Sequence, residues 1–173
     1  MYMAIFEATK PADLASEGYQ SITSQINTRS HQMRKAFTRC IRMTFKRLLS
    51  IGQGEGGIKL CYRLRWGNDS SQDAFIAWVK DRFMTAINAN SKIISAHALL
   101  GVPAVRAEMD QFRETGHQDE WVDATLILEF GSESDIDGDA INMFSITHLQ
   151  NEGIECLDLE VGIYRKMVSF TAG

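Results

Sequence analysis

The sequence predicts an α+β fold: one complete βαββαβ sandwich from Gly57 to Phe170, preceded by a piece of a second one from Tyr2 to Ser50. Three observations carry this. Two strand–helix–strand patterns follow one another after a glycine-rich segment. Apolar residues alternate at period two in the strand segments and recur at helical spacing between them. A composition of 45% hydrophobic and 23% charged residues over 173 positions is that of an ordinary globular chain with room for a sizeable core.

Tyr2 to Glu7 is short, apolar and aromatic and reads as a strand. Lys10-Pro11-Ala12-Asp13 then opens a helix running to about Ser24, with proline in its first turn and a carboxylate near the positive end of the dipole. Met33 to Leu49 fits two periods: Phe37, Ile41, Phe45 and Leu48 make a helical stripe, while Phe37, Ile41, Met43 and Phe45 also line one side of a strand. Residues 52–56, with Gly57 behind them, read as a joint dividing a partial repeat, 1–51, from a complete one, 57–173.

Beyond the joint, Ile58, Leu60, Tyr62, Leu64 and Trp66 alternate with Lys59, Cys61, Arg63 and Arg65, the signature of a half-buried strand. Asn68-Asp69-Ser70-Ser71 supplies capping chemistry for a helix carrying Phe75, Ile76, Val79, Phe83 and Ile87 on one face. Lys92 to Val102 is a second strand closed by Pro103, and a short helix is expected around Ala107 to Phe112. Trp121 to Phe130 is the third strand, Asp135 to about Gln150 the second helix, ended by Gly153, and Ile154 to Phe170 the last strand, with Leu157, Leu159, Val161, Ile163 and Met167 in phase.

This order puts both helices on one side of a four-stranded sheet. The other side is polar by alternation: Cys61, Arg63 and Arg65, then Ser95 and His97, then Asp123, Thr125 and Glu129, then Asp158, Glu160 and Tyr164. Such a face meets solvent, another sheet or a ligand. His97 is the first candidate for chemistry, a base oriented by a carboxylate among Asp123 and Glu160, with a hydrogen-bonded structural histidine as the alternative. Arg63 and Arg65 suit a bidentate clamp on a substrate carboxylate, and equally suit ion pairs with Glu129, Asp158 and Glu160. Tyr164 and Thr125 complete the candidate binding set.

A net charge of -4 and a pI near 5.6 give no electrostatic reason to expect nucleic acid, although basic residues gather from Arg29 to Arg47. No apolar run reaches the length of a spanning helix and Met1 to Lys10 is no signal peptide, so a cytoplasmic protein is expected. Cys40, Cys61 and Cys156 lack CxxC spacing, and neither a disulfide framework nor a metal site is expected from them; His117 with Glu114, Asp119 and Glu120 reads as a solvated loop. Gly52, Gly54 and Gly57 satisfy GxGxxG literally, but a strand follows where a dinucleotide loop opens a helix. Asp135, Asp137 and Asp139 imitate a calcium loop whose sixth and twelfth positions are Ala140 and Ile146, so they read as a helix start. No GxSxG or HExxH is present, and hydrolase readings have no motif behind them.

Several segments together resemble the dimeric α/β-barrel superfamily of ferredoxin-like domains, and within it the tandem EthD-like bacterial proteins: Tyr2 to Ala8, Thr28 to Arg42, Ile94-Ser95-Ala96-His97, Trp121 to Glu129, and Gly162-Ile163-Tyr164-Arg165. The resemblance implies that Met33 to Leu49 is a strand, and that two sheets pack into a barrel around a small organic molecule or, in some relatives, haem; were a haem present, His97 could serve as its axial ligand, though nothing in the spacing demands it. The bare sheet face and the half repeat argue for a homodimer, and if the chain is an enzyme the resemblance suggests a cofactor-independent oxygenase, isomerase or lyase. The chain departs from the tandem pattern by lacking the first strand, helix and second strand of repeat one, so either the product starts upstream of Met1 or a second chain supplies that sheet. Two functions are therefore expected in competition, a small-molecule binder or enzyme at His97, Arg63, Asp123 and Tyr164, and a non-catalytic homo-oligomerising module. A haem-dependent enzyme is a third.

Overall fold

Five strands form one sheet in the order β1-β3-β4-β2-β5: β1 (Phe45–Ile51), β2 (Ile58–Trp66), β3 (Ile93–Gly101), β4 (Ala124–Phe130) and β5 (Cys156–Arg165). These come from a computed structural model of the chain, which describes residues 3–5, 7, 8, 10, 13, 16–18, 21, 32, 41, 43–52, 54–110 and 120–167. The pairs β2/β4, β2/β5 and β3/β4 are antiparallel. Strands β5-β2-β4-β3 with their two helical crossovers have the order of a ferredoxin-like sandwich, as the sequence predicts, and β1 adds a fifth strand beside β3.

The chain divides into two compact units. The first takes Met1–Met3, Arg47–Leu100 and Asp123–Gly173 and contains the core, the paired strands and the crossover helices. The second takes Ala4–Lys46 and Gly101–Val122. Within it, Val102 N–H donates to the Thr44 carbonyl at 2.9 Å and a helix spans Pro103–Asp110, so that Pro103 opens a helix rather than merely closing a strand. Of the helix expected at 11–24, Asp13, Ser16, Glu17, Gly18 and Ser21 are described, with Glu17, Gly18 and Ser21 helical; most of the element expected at 33–49 and His117 lie outside the described residues. Where Tyr2 to Glu7 suggested a strand, Met3, Ala4, Ile5 and Glu7 have no regular structure.

Alternation makes the core. Ile58, Leu60, Tyr62 and Leu64 from β2, Ala96 and Ala98 from β3, and Ala124, Leu126, Leu128 and Phe130 from β4 are buried against the helices. The first crossover runs through α1 (Ser70–Trp78), a π-helical turn at Val79–Phe83, and α2 (Met84–Asn88). Asn68 Oδ1 caps its start by accepting from Ser71 N–H at 3.0 Å, and the buried Ser71 hydroxyl accepts from Glu155 N–H at 3.0 Å, which ties the helix start to the entry of β5. Trp78, rather than Ile76, shares the buried face with Phe75, Val79, Phe83 and Ile87. The π turn supplies the extra residue that brings Trp78 and Phe83 to the same side.

The second crossover is not the single helix that its apolar spacing suggests. A 3₁₀ turn (Glu133–Asp135) leads into α3 (Gly138–Asn142) and then α4 (Ile146–Asn151). Asp137 caps α3 by accepting from Ala140 N–H at 2.9 Å, and Ser145, extended at ψ 159, caps α4 by accepting from His148 N–H at 3.3 Å. A hydroxyl at position 145 therefore ends one helix and restarts another.

At the far edge, β5 shifts register opposite Arg65 and Trp66. Leu157 falls at the irregularity and is exposed instead of in phase.

Candidate functional site

The face of the sheet away from the helices is built from cross-strand rows. Tyr164, Lys59, Glu129 and Ser95 form one row; Gly162, Cys61, Ile127 and His97 the next; Glu160, Arg63, Thr125 and Leu99 the third. Its centre is buried within this one chain: Cys61, Ser95, Thr125, Ile127 and Glu129 are all buried. Met3 contributes there, its Sδ lying 3.8 Å from Cys61 Sγ. Burial pushes the Cys61 thiol up to about 12, which keeps it protonated and unreactive at neutral pH.

The ionic centre of the face is Glu129. It is 3% exposed, and its carboxylate accepts from Lys59 Nζ and from Gly56 N–H, the latter at 2.8 Å. His97 Nε2 stands 3.5 Å from Oε1. Burial alone would raise this carboxyl. The hydrogen bonds of His97, Lys59 and Gly56, with the Lys59 charge, outweigh burial and bring it down to about 2, so it is ionised across the physiological range. On the other side of the imidazole, His97 Nδ1 is 2.8 Å from the hydroxyl of Ser50, an exposed residue of β1. Strands β1, β3 and β4 thus hold Ser50, His97 and Glu129 in a line.

The glycine-rich segment has a part in this arrangement. Gly52 has φ +85, and a Cβ on it would stand 2.9 Å from Ser95 Cα. A Cβ on Gly56 would stand 2.6 Å from the Phe130 carbonyl oxygen and 2.9 Å from Glu129 Cβ. Only glycine lets the chain pass so close to β3 and β4, and that approach delivers the Gly56 N–H to the carboxylate.

The remaining candidates fall elsewhere on the face. Arg63 pairs with Glu160 at 2.6 Å and Arg65 with Asp158 at 3.4 Å, each with the residue directly opposite on β5. Glu160 on β5 is three strand spacings from His97 on β3, roughly 14 Å across the sheet. Asp123 closes the end of the β2/β4 ladder: its N–H donates to the Leu64 carbonyl at 2.8 Å and its carboxylate accepts from Trp66 N–H at 2.9 Å. Thr125 is buried between Arg63 and Leu99. Tyr164 lies over Gly162, where a Cβ would meet the ring at 2.9 Å, and burial raises its phenol. The structure therefore sets Glu129, rather than the expected Asp123 or Glu160, beside His97, with Ser50 on the other ring nitrogen; Asp123 accepts from Trp66 N–H and Glu160 pairs with Arg63.

No protein-family model, curated protein or solved structure matches this chain. The site stands on its own geometry. Among the described residues no group of three or more His, Cys, Asp and Glu side chains is placed to hold a metal, and no helix is long and apolar enough to cross a membrane. A haem iron on His97 would need a ring nitrogen, and Ser50 and Glu129 engage both, so the residues present do not fit an axial site.

Chemically, the line from Ser50 to Glu129 specifies a tautomer. An ionised carboxylate accepts hydrogen bonds and cannot donate, so the neutral imidazole carries its proton on Nε2. Nδ1 then presents a lone pair toward Ser50. Lys59, Gly56, Glu129 and Ser50 were not singled out by motif. Glu129 was legible as a polar residue on the right face, but its row was not.

Proposed function

We propose that this chain binds a small organic molecule on the β1/β3 side of the polar sheet face and uses His97 as its acid–base group, without a nucleotide cofactor. What supports the reading is the buried, ionised Glu129 at Nε2, which leaves Nδ1 as the basic nitrogen facing the exposed Ser50. The test is thermal stabilisation by a panel of small phenols, carboxylic acids and esters. At least one member is expected to raise the Tm of the wild-type protein, and that shift is expected to vanish in His97→Ala. An unchanged shift in the variant, or none in the wild type, removes the reading.

A second reading, association of two copies, rests on the outer edge of β5. Among the described residues no strand pairs with that edge, and Val161 and Ile163 on its helical side stay 40% and 45% exposed. Antiparallel pairing of two copies about Val161 sets Leu159 opposite Ile163, whereas pairing about Glu160 opposes two carboxylates. Val161→Lys is expected to convert a sedimenting dimer to a monomer. A wild-type protein that sediments as a monomer at every concentration sinks this reading.

A further inference from the structure

We propose that Ser50 is a nucleophile and that the chain transfers acyl groups from small carboxylic esters to water. The inference rests on the acid–base reading of His97 and extends it to a reaction. Three groups on three strands are in the order that acyl transfer requires: a hydroxyl 2.8 Å from a basic ring nitrogen, an imidazole, and a buried carboxylate at the opposite ring nitrogen. The ring is turned relative to many such sites, with Nδ1 toward the hydroxyl and Nε2 toward the carboxylate, but the division of labour is the same. Fixation of the carboxylate distinguishes this from a chance contact. Lys59 binds Glu129 Oε1, the oxygen that His97 Nε2 faces, Gly56 N–H holds Oε2, and the close approach of Gly56 exists only because that position has no side chain.

The step balances without any co-reactant beyond water. Ser50 Oγ gives its proton to His97 Nδ1 as it bonds to the ester carbonyl carbon. The ester C–O bond breaks, and the leaving alkoxide takes that proton from Nδ1 and departs as the alcohol. Water then attacks the acyl-serine, giving its proton to Nδ1. The C–Oγ bond breaks, Ser50 regains the proton, and the carboxylic acid is released. Glu129 touches no reacting atom. It is a positioning residue, keeping the Nε2 tautomer and stabilising the imidazolium between the two proton transfers. The 3.5 Å Nε2 contact is of the length that shortens once a positive charge forms on the ring. Ser50 is exposed, so the substrate is reached from solvent, and small aryl esters are the class to try first.

The experiment uses a fluorophosphonate probe on the whole protein, with labelling followed by intact mass and located by peptide mapping. Phosphonylation is expected at Ser50, with loss of fluoride. It is expected to be absent in Ser50→Ala, whose exposed position leaves the fold unchanged by circular dichroism, and slowed by a factor of roughly 10²–10⁴ in His97→Ala, the usual worth of a general base. Glu129→Gln is expected to slow labelling and alter its pH profile, a change that a purely structural carboxylate would not produce. Aryl acetate hydrolysis distinguishes Ser50 from direct attack by imidazole, since the latter survives Ser50→Ala. No labelling of the folded wild type, labelling at another serine, or an unchanged rate in His97→Ala overturns the nucleophile. If the His97-dependent thermal shift persists in that event, the acid–base reading stands without it; if the shift is also absent, both fall.

Discussion

Glu129→Ala is expected to destabilise the protein by on the order of 3–5 kcal/mol, measured as a lowered denaturant midpoint at neutral pH with an unchanged slope. Removing the carboxylate strands three donors at once. Lys59, with a side chain only 16% exposed, keeps a charge whose counterion is gone, and Gly56 N–H and His97 Nε2 lose an acceptor. Restoring neutrality should recover part of the loss, so Glu129→Ala with Lys59→Met is expected to be more stable than Glu129→Ala alone. The same carboxyl gives the wild type an acid limb. Its folded pKa of about 2 lies below the ordinary carboxyl value of 4.5, so its contribution is fully present above about pH 4.5 and is lost as pH falls toward 2. That difference corresponds to a contribution on the order of 3 kcal/mol, which the pH dependence of unfolding reads directly. A wild-type and a Glu129→Ala protein losing stability in parallel over that window would show that the buried carboxylate has no such part.

The pattern of residues makes the sheet readable because alternation is local. Ile58 to Trp66 and Ala124 to Phe130 announce which side faces the helices, and the structure keeps those sides. The helical breaks are less readable. Positions 140, 144 and 149 continue an apolar face through Ser145, and nothing in that spacing says that the Ser145 hydroxyl will take the backbone N–H of His148 and restart the helix. The site shows the same division. Parity assigns His97, Glu129, Asp123 and Glu160 to one face, but it says nothing of which strand lies beside which or of which rows coincide. The crossover order puts β4 next to β3 and β5 at the opposite edge, and this selects Glu129 over Glu160. Ser50 and Gly56 reach the site across 47 and 73 positions of sequence, through pairing and close approach that have no local signature. Arg63 and Arg65 were decipherable as far as alternatives, and strand register resolves them into pairs with Glu160 and Asp158.

Trp78→Ala should lower stability by about 3–5 kcal/mol, the cost of removing a large buried aromatic whose surroundings relax only in part. Trp78 is 4% exposed. Its ring centroid lies 5.3 Å from that of Phe144, 5.6 Å from Phe83 and 6.1 Å from Phe75, edge-on to the first two. Phe144 belongs to the second crossover and in turn meets Tyr62 of β2 at 5.3 Å, so the indole joins both helical layers to the sheet. These edge contacts add to the burial itself. The tryptophan also explains the π turn at Val79–Phe83. Five positions separate Trp78 from Phe83, too many for one ordinary helical turn and suited to an i→i+5 turn, so the pairing of these two rings holds the irregularity in place. Trp78→Phe keeps an aromatic edge while leaving a smaller void, and is expected to lose less than half as much. Denaturant unfolding of the two variants gives the ratio, and near-ultraviolet circular dichroism reports the aromatic cluster. Equal losses for Phe and Ala would mean that the indole's width, not its packing as an aromatic, holds the crossovers together.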